Sequence, residues 1–213
     1  MKKLLSILSI LLVFMFVSCS QSNAKSEENN DKNKKDMNKQ MEKDGGKMLV
    51  VFFSHAGENY SVGDIKVGNT KIVADYISKH TGADQFEIVC EKDYNMPYMK
   101  LIEVAKQEAN NGELPAYKGK IENIDQYSTI FIGGPVWWGT YPQVMFTFFK
   151  DYDLNDKTII PFTTHEGSGL ASCVDDIKKA YPKAKVLDGF AMYGHDVRTN
   201  ENKVINWLKG LGY

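Results

Sequence analysis

The sequence is poor in the residues that build metal centres and covalent cross-links. It holds three cysteines and four histidines among 213 residues, and none of them falls in a CxxC or HxxxH spacing. This scarcity argues against a structural or catalytic metal site. The formal net charge of −1 gives no electrostatic reason to expect a nucleic acid as a partner.

The longest apolar run lies at the amino terminus and is too short for an ordinary spanning helix. Residues 4–18 follow Lys2 and Lys3, and the run is shorter than the roughly 20 residues that a bilayer requires. It ends in "FVSC", where Ser18 precedes Cys19, and this resembles the lipobox of bacterial lipoproteins. The resemblance implies a signal peptide over 1–18, an acylated Cys19 and a lipid anchor on the extracytoplasmic face of the cell membrane. A plain secretory signal and an uncleaved anchor helix stay open as alternatives.

The next segment has almost no apolar residues. Residues 20–47 carry mixed charges, and such a composition cannot bury enough surface to offset the entropy lost on ordering. We therefore expect residues 19–47 to form a disordered linker with a reach of roughly 30 Å. The linker would hold a domain over residues 48–213 away from the membrane.

From Met48 onward, apolar strand patterns alternate with amphipathic helix patterns. The predicted strands are MLVVFFS, QFEIVC, YSTIFIGG, KTIIPFTT and AKVLDGFAMYG, and five helical segments follow them in turn. Strict alternation predicts a doubly wound, five-stranded parallel α/β sheet with the strand order 2-1-3-4-5. In such sheets the ligand lies outside the carboxyl ends of the strands, here at the loops that follow Ser54, Gly134 and Thr164.

The first of these loops has the features of a phosphate site. It runs from Ser54 to Thr70 and leads into a predicted helix, whose free N–H groups and dipole favour an anion. It matches neither GxxxxGK[ST] nor GxGxxG, which argues against a nucleoside triphosphate and disfavours a nicotinamide dinucleotide. Neutral donors suit a phosphate monoester, whereas an ordinary loop with helix caps is the alternative.

The second loop, "GGPVWWGTY", places two indoles side by side after a buried strand. The face of Trp137 or Trp138 suits a planar ring, and Gly139 lets the main chain approach an edge of that ring. Since neighbouring side chains in an extended loop point apart, we expect one of the two indoles to fill the core instead. The sequence does not distinguish them.

The third loop, "TTHEGSG", can present backbone N–H groups to the same planar ligand. His165 and Glu166 also invite an acid–base interpretation, but no nucleophile accompanies them, and a simple loop contact is the preferred reading.

Taken together, the three loops resemble those of flavodoxin-like proteins in the subgroup whose first loop is lengthened. The resemblance covers nearly all of residues 48–213 and rests on "FFSHAGENYSVGDIKVGNT", "KGKIENIDQYSTIFIGGPVWWGTYP" and "KTIIPFTTHEGSG". It implies a flavodoxin-like three-layer sandwich and a noncovalently bound FMN, with no metal and no catalytic side chain. The implied phosphate residues are Ser54, His55, Ala56, Gly68, Asn69 and Thr70. The implied ring residues are Gly134, Pro135, Val136, Trp137, Trp138, Gly139, Thr164, His165, Glu166, Gly167, Ser168 and Gly169.

The insertion of residues 57–67 leaves two readings of the phosphate loop. We prefer the frame through Gly68, Asn69 and Thr70 because the helix is predicted to start there, although a frame through Gly57 and Asn59 is possible. Tyr60 either folds over the ligand or covers the sheet edge.

The resemblance implies an electron carrier in which the flavin supplies the chemistry and the protein sets its potential. The redox partner is expected to be a protein that the sequence does not identify. A second hypothesis is an FMN-dependent reductase of quinones or small electrophiles. A third is an anchored binding module without a cofactor.

Overall fold

The computed structural model describes residues 46–213. The predicted signal peptide over 1–18, the predicted acylation site Cys19 and nearly all of the predicted linker over 19–47 lie outside the described residues. Within the described part of the chain, no helix combines the length and the apolar character needed to cross a membrane.

The described residues form ten strands and five α-helices, and each helix follows one to three strands. The strands are β1 (Lys47–Phe52), β2 (Gly57–Asn59), β3 (Gly63–Ile65), β4 (Asp84–Glu87), β5 (Val89–Cys90), β6 (Tyr117–Lys118), β7 (Tyr127–Pro135), β8 (Thr158–His165), β9 (Lys185–Val186) and β10 (Phe190–Tyr193). The helices are α1 (Asn69–Thr81), α2 (Tyr98–Asn111), α3 (Gln143–Asp151), α4 (Cys173–Ala180) and α5 (Glu201–Leu211).

The main sheet is parallel and has the order β4-β1-β7-β8-β10. This order confirms the predicted fold and the 2-1-3-4-5 arrangement. Two of the predicted strands are broken. The fifth is split into β9 and β10, which both pair with β8, and the second ends at Glu87, after which β5 pairs with β6 in a separate antiparallel ribbon.

Alternate residues of β1 face two separate hydrophobic clusters, which is why its sequence is apolar without interruption. Leu49 and Val51 pack in the cluster that contains the apolar faces of α2, α3 and α4. Val50 and Phe52 pack in the cluster that contains those of α1 and α5. Burial of each such side chain contributes about 1.5–3 kcal/mol, so the central strand is held from both faces.

The register of the central strands brings three loop starts to one edge of the sheet. Phe52 pairs with Gly133, and Pro135 pairs with Thr164. The hydrogen bonds between these strands continue past the strand ends. The amide of Phe53 donates to the carbonyl oxygen of Gly133, and the amide of Val136 donates to the carbonyl oxygen of Thr164, each at 3.0 Å. The loops after β1, β7 and β8 therefore leave the sheet side by side, as the sequence predicts.

Candidate functional site

A cavity of about 360 Å³ opens at this carboxyl edge of the sheet. All three predicted loops contribute to its wall. The predicted site residues that line it are His55, Asn69, Thr70, Pro135, Val136, Trp137, Trp138, Thr164, His165, Glu166 and Ser168.

Seven predicted residues do not line the cavity: Ser54, Ala56, Gly68, Gly134, Gly139, Gly167 and Gly169. Several of them shape the backbone instead. The Oγ atom of Ser54 accepts a hydrogen bond from the amide of Lys71 at 2.9 Å, in the first turn of α1. Gly68 lies so close to Ser54 that a Cβ there would sit 2.2 Å from the serine Oγ, which explains why only glycine fits.

The β1–α1 loop contains the short hairpin β2–β3 and then leads into the first turn of α1. Gly68 is the extended residue before the helix, which begins at Asn69 as predicted. Within residues 46–213, the amides of Asn69 and Thr70 have no hydrogen-bond acceptor, whereas the next amide is capped by Ser54. Two free N–H groups at a helix start form a site for an anion.

His55 is buried beside this helix start, and its ring lines the cavity. Its side chain is 7% exposed, and its Nε2 atom has no hydrogen-bond partner among the described residues. Burial lowers the pKa of His55 below its ordinary value, with a backbone contact to Glu58 opposing the shift. A buried polar atom without a partner is costly, so a ligand group at this point would relieve it.

The two indoles take different roles. Trp137 is half-buried and makes edge-to-face contacts with Phe53, His55 and Tyr94, at centroid distances of 5.5, 5.8 and 5.3 Å. Trp138 is 53% exposed, and its Nε1 donates to the carbonyl oxygen of Ile102. Trp137 therefore packs against the core, but both indoles line the cavity, so the core indole does not turn away from the candidate site as the sequence analysis expected.

The loop after β8 is engaged in contacts with its neighbours. The Nδ1 atom of His165 accepts from the amide of Gly167 at 2.9 Å, and burial lowers the pKa of His165. The carboxylate of Glu166 accepts from the backbone amide of His195 at 3.0 Å and lies 2.7 Å from its ring Nδ1. Both side chains thus make loop contacts.

The segment between β10 and α5 forms a fourth wall that the sequence analysis missed. Gly194 lines the cavity and packs on Asn69, so that a Cβ at this glycine would lie 2.4 Å from the Asn69 Nδ2 atom. Arg198 donates to the Asn69 Oδ1 atom at 2.8 Å and to the carbonyl oxygen of Val67 at 2.9 Å. The general rule that ligands lie beyond the carboxyl ends of strands would have pointed to this segment, because it follows β10.

The hairpin and the start of α2 supply the rest of the wall. Asn59 and Tyr60, which the sequence analysis raised as alternatives, line the cavity, and the remaining lining residues that it missed are Glu58, Val62, Tyr98, Leu101, Ile102 and Ala105. Tyr60 and Tyr98 stack at a centroid distance of 5.9 Å, and the Glu58 carboxylate accepts from the amide of Tyr98 at 2.7 Å. Pro97, just before α2, is the sequence signal that this helix starts at the same edge.

The arrangement suits a planar ligand with an anionic tail. An aromatic wall at Trp137 lies in the same cavity as the free N–H groups of α1. Within residues 46–213, no group of three or more histidine, cysteine, aspartate or glutamate side chains is placed to hold a metal ion.

Comparison with known proteins identifies relatives of this domain. A sequence model of the family described as Flavodoxin matches residues 47–211. A protein of Bacteroides eggerthii DSM 20697, inferred to be a flavoprotein, is 28% identical with a TM-score of 0.64, and the match covers 79% of this chain and 99% of that one. A similar protein of Bacteroides uniformis ATCC 8492, also inferred to be a flavoprotein, is 26% identical with a TM-score of 0.64 over 78% of this chain and 99% of that one.

A more distant structure shares the fold. The flavoprotein of Lactobacillus acidophilus NCFM, solved in complex with FMN, is 22% identical with a TM-score of 0.54, and the match covers 77% of this chain and 99% of that one. No curated protein matches the chain.

Proposed function

The chain belongs to the flavodoxin family, and from this premise we propose that it binds FMN noncovalently and transfers electrons through it. The observation that carries the proposal is the single cavity that joins the Trp137 wall to the free amides of Asn69 and Thr70. The similar protein from Lactobacillus acidophilus holds FMN on the same fold.

The residues present fit this cofactor. The phosphate would be held by the amides of Asn69 and Thr70, where the dipole of α1 adds to the attraction. The flavin ring would be held at Pro135, Val136 and Trp137, and the unpartnered Nε2 of His55 offers a hydrogen bond in the same cavity.

Bound FMN supplies the electron chemistry, since it can accept and release one or two electrons. The chain's own residues bind, orient and shield it. The contacts of Trp137 with Phe53 and Tyr94 fix the indole, and an apolar wall disfavours a charged ring. The β8–α4 loop can present backbone dipoles to the ring edge, and Gly167, at φ +127°, gives it a backbone conformation open to few other residues. No side chain is assigned a proton-transfer role in this proposal.

A second candidate function is an FMN-dependent reductase of quinones or small electrophiles. The observation that favours it is the Tyr60–Tyr98 stack, which offers a flat aromatic surface on the rim of the cavity. A small aromatic acceptor could bind there beside the flavin. Sustained turnover of NADPH with a quinone would establish the reductase, and its absence would favour the carrier.

The absorption spectrum of the purified full-length chain tests the cofactor. We expect a yellow protein, or one that becomes yellow with added FMN, whose visible bands bleach on stepwise anaerobic reduction with dithionite. Asn69→Asp should weaken FMN binding about tenfold or more by placing a carboxylate beside the phosphate, whereas Asn206→Asp on the exposed face of α5 serves as the matched control. A wild-type chain that stays colourless with excess FMN would favour a binding module without cofactor.

The amino-terminal pattern supports a membrane tether. We place the domain on the extracytoplasmic face, anchored by a lipid on Cys19, with a redox partner protein that meets it there. The support is the sequence around "FVSC" and the polar linker that follows. Cys19→Ala should release the protein from membranes into the soluble fraction, and a variant that stays membrane-bound would rule out lipidation at this residue as the anchor.

A further inference from the structure

Arg198 is the single arginine of the chain, and both of its hydrogen bonds go to the β1–α1 loop. Its acceptors are the side-chain oxygen of Asn69 and the carbonyl oxygen of Val67, and neither of them carries a charge. Among the described residues, no carboxylate lies within 4.0 Å of its guanidinium, whereas seven lysine–carboxylate ion pairs are formed elsewhere. The exposed guanidinium of Arg198 therefore forms no ion pair among the described residues.

The two hydrogen bonds place this charge at the helix start that holds the free amides. Val67 precedes Gly68 and Asn69 follows it, so the guanidinium bridges the residues on both sides of the turn into α1. The planar guanidinium has several donors in a fixed fork, which allows it to hold two acceptors and still face an anion.

Arg198 also fixes the orientation of the Asn69 side chain. Because the Oδ1 atom accepts from the guanidinium, the Nδ2 group is left as a donor, and it has no acceptor within residues 46–213. Asn69 lines the cavity beside Gly194, on which its Nδ2 group packs, so this donor belongs to the same wall of the cavity as the amide of Asn69. The arginine thus acts both by its charge and by positioning a neutral donor.

We propose that Arg198 determines the specificity of the site for a terminal phosphate monoester, so that the chain selects FMN over uncharged riboflavin. The inference rests on the proposed function, because it concerns the phosphate end of the same cavity. A phosphate monoester carries up to two negative charges, and a nearby cation attracts it while leaving a neutral flavin unaffected.

The test is a pair of titrations of the full-length chain, one with FMN and one with riboflavin, in which flavin fluorescence reports binding. Arg198→Gln removes the charge and should weaken FMN binding about tenfold, equivalent to about 1.4 kcal/mol, while riboflavin affinity changes less than about twofold. Arg198→Lys keeps the positive charge but loses the planar, forked donor arrangement. Its affinity for FMN should fall between that of the wild type and that of Arg198→Gln. Lys209→Gln is the matched control, since Lys209 is an exposed cation of α5 that forms no ion pair among the described residues.

The salt dependence of binding is a second readout that a purely structural brace would not change. FMN affinity of the wild type should fall as salt rises from about 0.05 to 0.5 M, and Arg198→Gln should flatten this dependence. An Arg198→Gln variant that loses equal affinity for both flavins, or that keeps the wild-type ratio, would overturn the inference and leave FMN binding in place. A wild-type chain that binds neither flavin would overturn the proposed function, and this inference with it.

Discussion

The hydroxyl oxygens of Thr70 and Thr164 lie 2.8 Å apart, although 94 residues separate them in the chain. Thr70 belongs to the first turn of α1, and Thr164 lies near the end of β8. Both side chains are buried. Their hydrogen bond joins the proposed phosphate loop to the loop proposed to face the flavin ring, so the two ends of the site are held at a fixed separation.

We expect Thr70→Val or Thr164→Val alone to lower the free energy of unfolding by about 1–3 kcal/mol, because each leaves the other hydroxyl buried without a partner. The double variant should lose less than the sum of the single losses, since it leaves no orphaned hydroxyl. Urea denaturation of the apo protein measures all three values. Thr199→Val, at an exposed position, should change stability by less than about 0.5 kcal/mol. Additive losses would show that the two hydroxyls are not coupled.

The two neighbouring indoles should differ sharply in what they contribute to stability. Trp137→Ala removes contacts with Phe53 and Tyr94 and should cost about 2–3 kcal/mol. Trp138→Gly should cost at most about 1 kcal/mol, because Trp138 is 53% exposed, its hydrogen bond to Ile102 is replaced by water, and glycine accepts its backbone φ of +53° without strain. Urea denaturation measures the free energy of unfolding of both variants. Equal losses would mean that the contacts of Trp137 with Phe53 and Tyr94 do not stabilise the fold.

The sheet order and the site's three central loops could be predicted because their signals are local. The apolar run of β1 indicates a strand buried on both faces, and the Gly-Gly-Pro segment at the end of β7 and the glycines after β8 mark where the loops begin. Once the alternation of strands and helices is recognised, few topologies remain. The preferred frame through Gly68 and Asn69 relies on the helix start, which the structure places at Asn69.

The missed parts of the site have no local signal. Arg198 meets Asn69 across 129 residues, and a lone arginine after a strand has no periodicity to reveal its partner. The hairpin strands β2 and β3 have three residues each and few apolar side chains, so no alternation could be read from them. Tyr60 and Tyr98 come together only through that hairpin, which is why their stack could not be anticipated.

The buried imidazole of His55 should make stability depend on pH. Burial lowers its pKa in the folded protein below the value of about 6.5 in the unfolded chain. Between these two pKa values the unfolded chain binds more protons, so the free energy of unfolding is highest above about pH 6.5 and falls as the pH drops below it. His55→Gln should reduce this fall. His80 and His165 should account for much of the loss of stability that remains in this variant at low pH, because burial lowers their pKa values too.

Urea denaturation of the wild type and His55→Gln between pH 5 and 8 measures this effect, and an NMR titration of the ring reports the pKa of His55 directly. A pKa at or above 6.5, or an unchanged pH dependence in the variant, would contradict the prediction.

Asp176, which lies in α4, should hold in place the loop after β7 that contains Trp137 and Trp138. Its Oδ2 atom accepts from Thr140 Oγ1 at 2.5 Å and from Ser172 Oγ at 2.9 Å. The amide of Ser172 in turn donates to the carbonyl oxygen of Gly139 at 3.0 Å, and this oxygen is the alternative acceptor for the single hydroxyl proton of Ser172. The carboxylate therefore ties the turn that follows Trp138 to the start of α4.

We expect Asp176→Asn to lower the free energy of unfolding by about 1 kcal/mol and to change the near-ultraviolet circular dichroism of the indoles, because the charge-assisted bonds to Thr140 and Ser172 weaken. Asp175→Asn is the matched control. Asp175 lies in the same first turn of α4 and experiences the same helix dipole, but it is exposed. Since both variants remove one negative charge from that turn, the difference between them isolates the hydrogen bonds from the dipole. Equal effects of the two variants would mean that Asp176 acts through the dipole alone and does not position the loop.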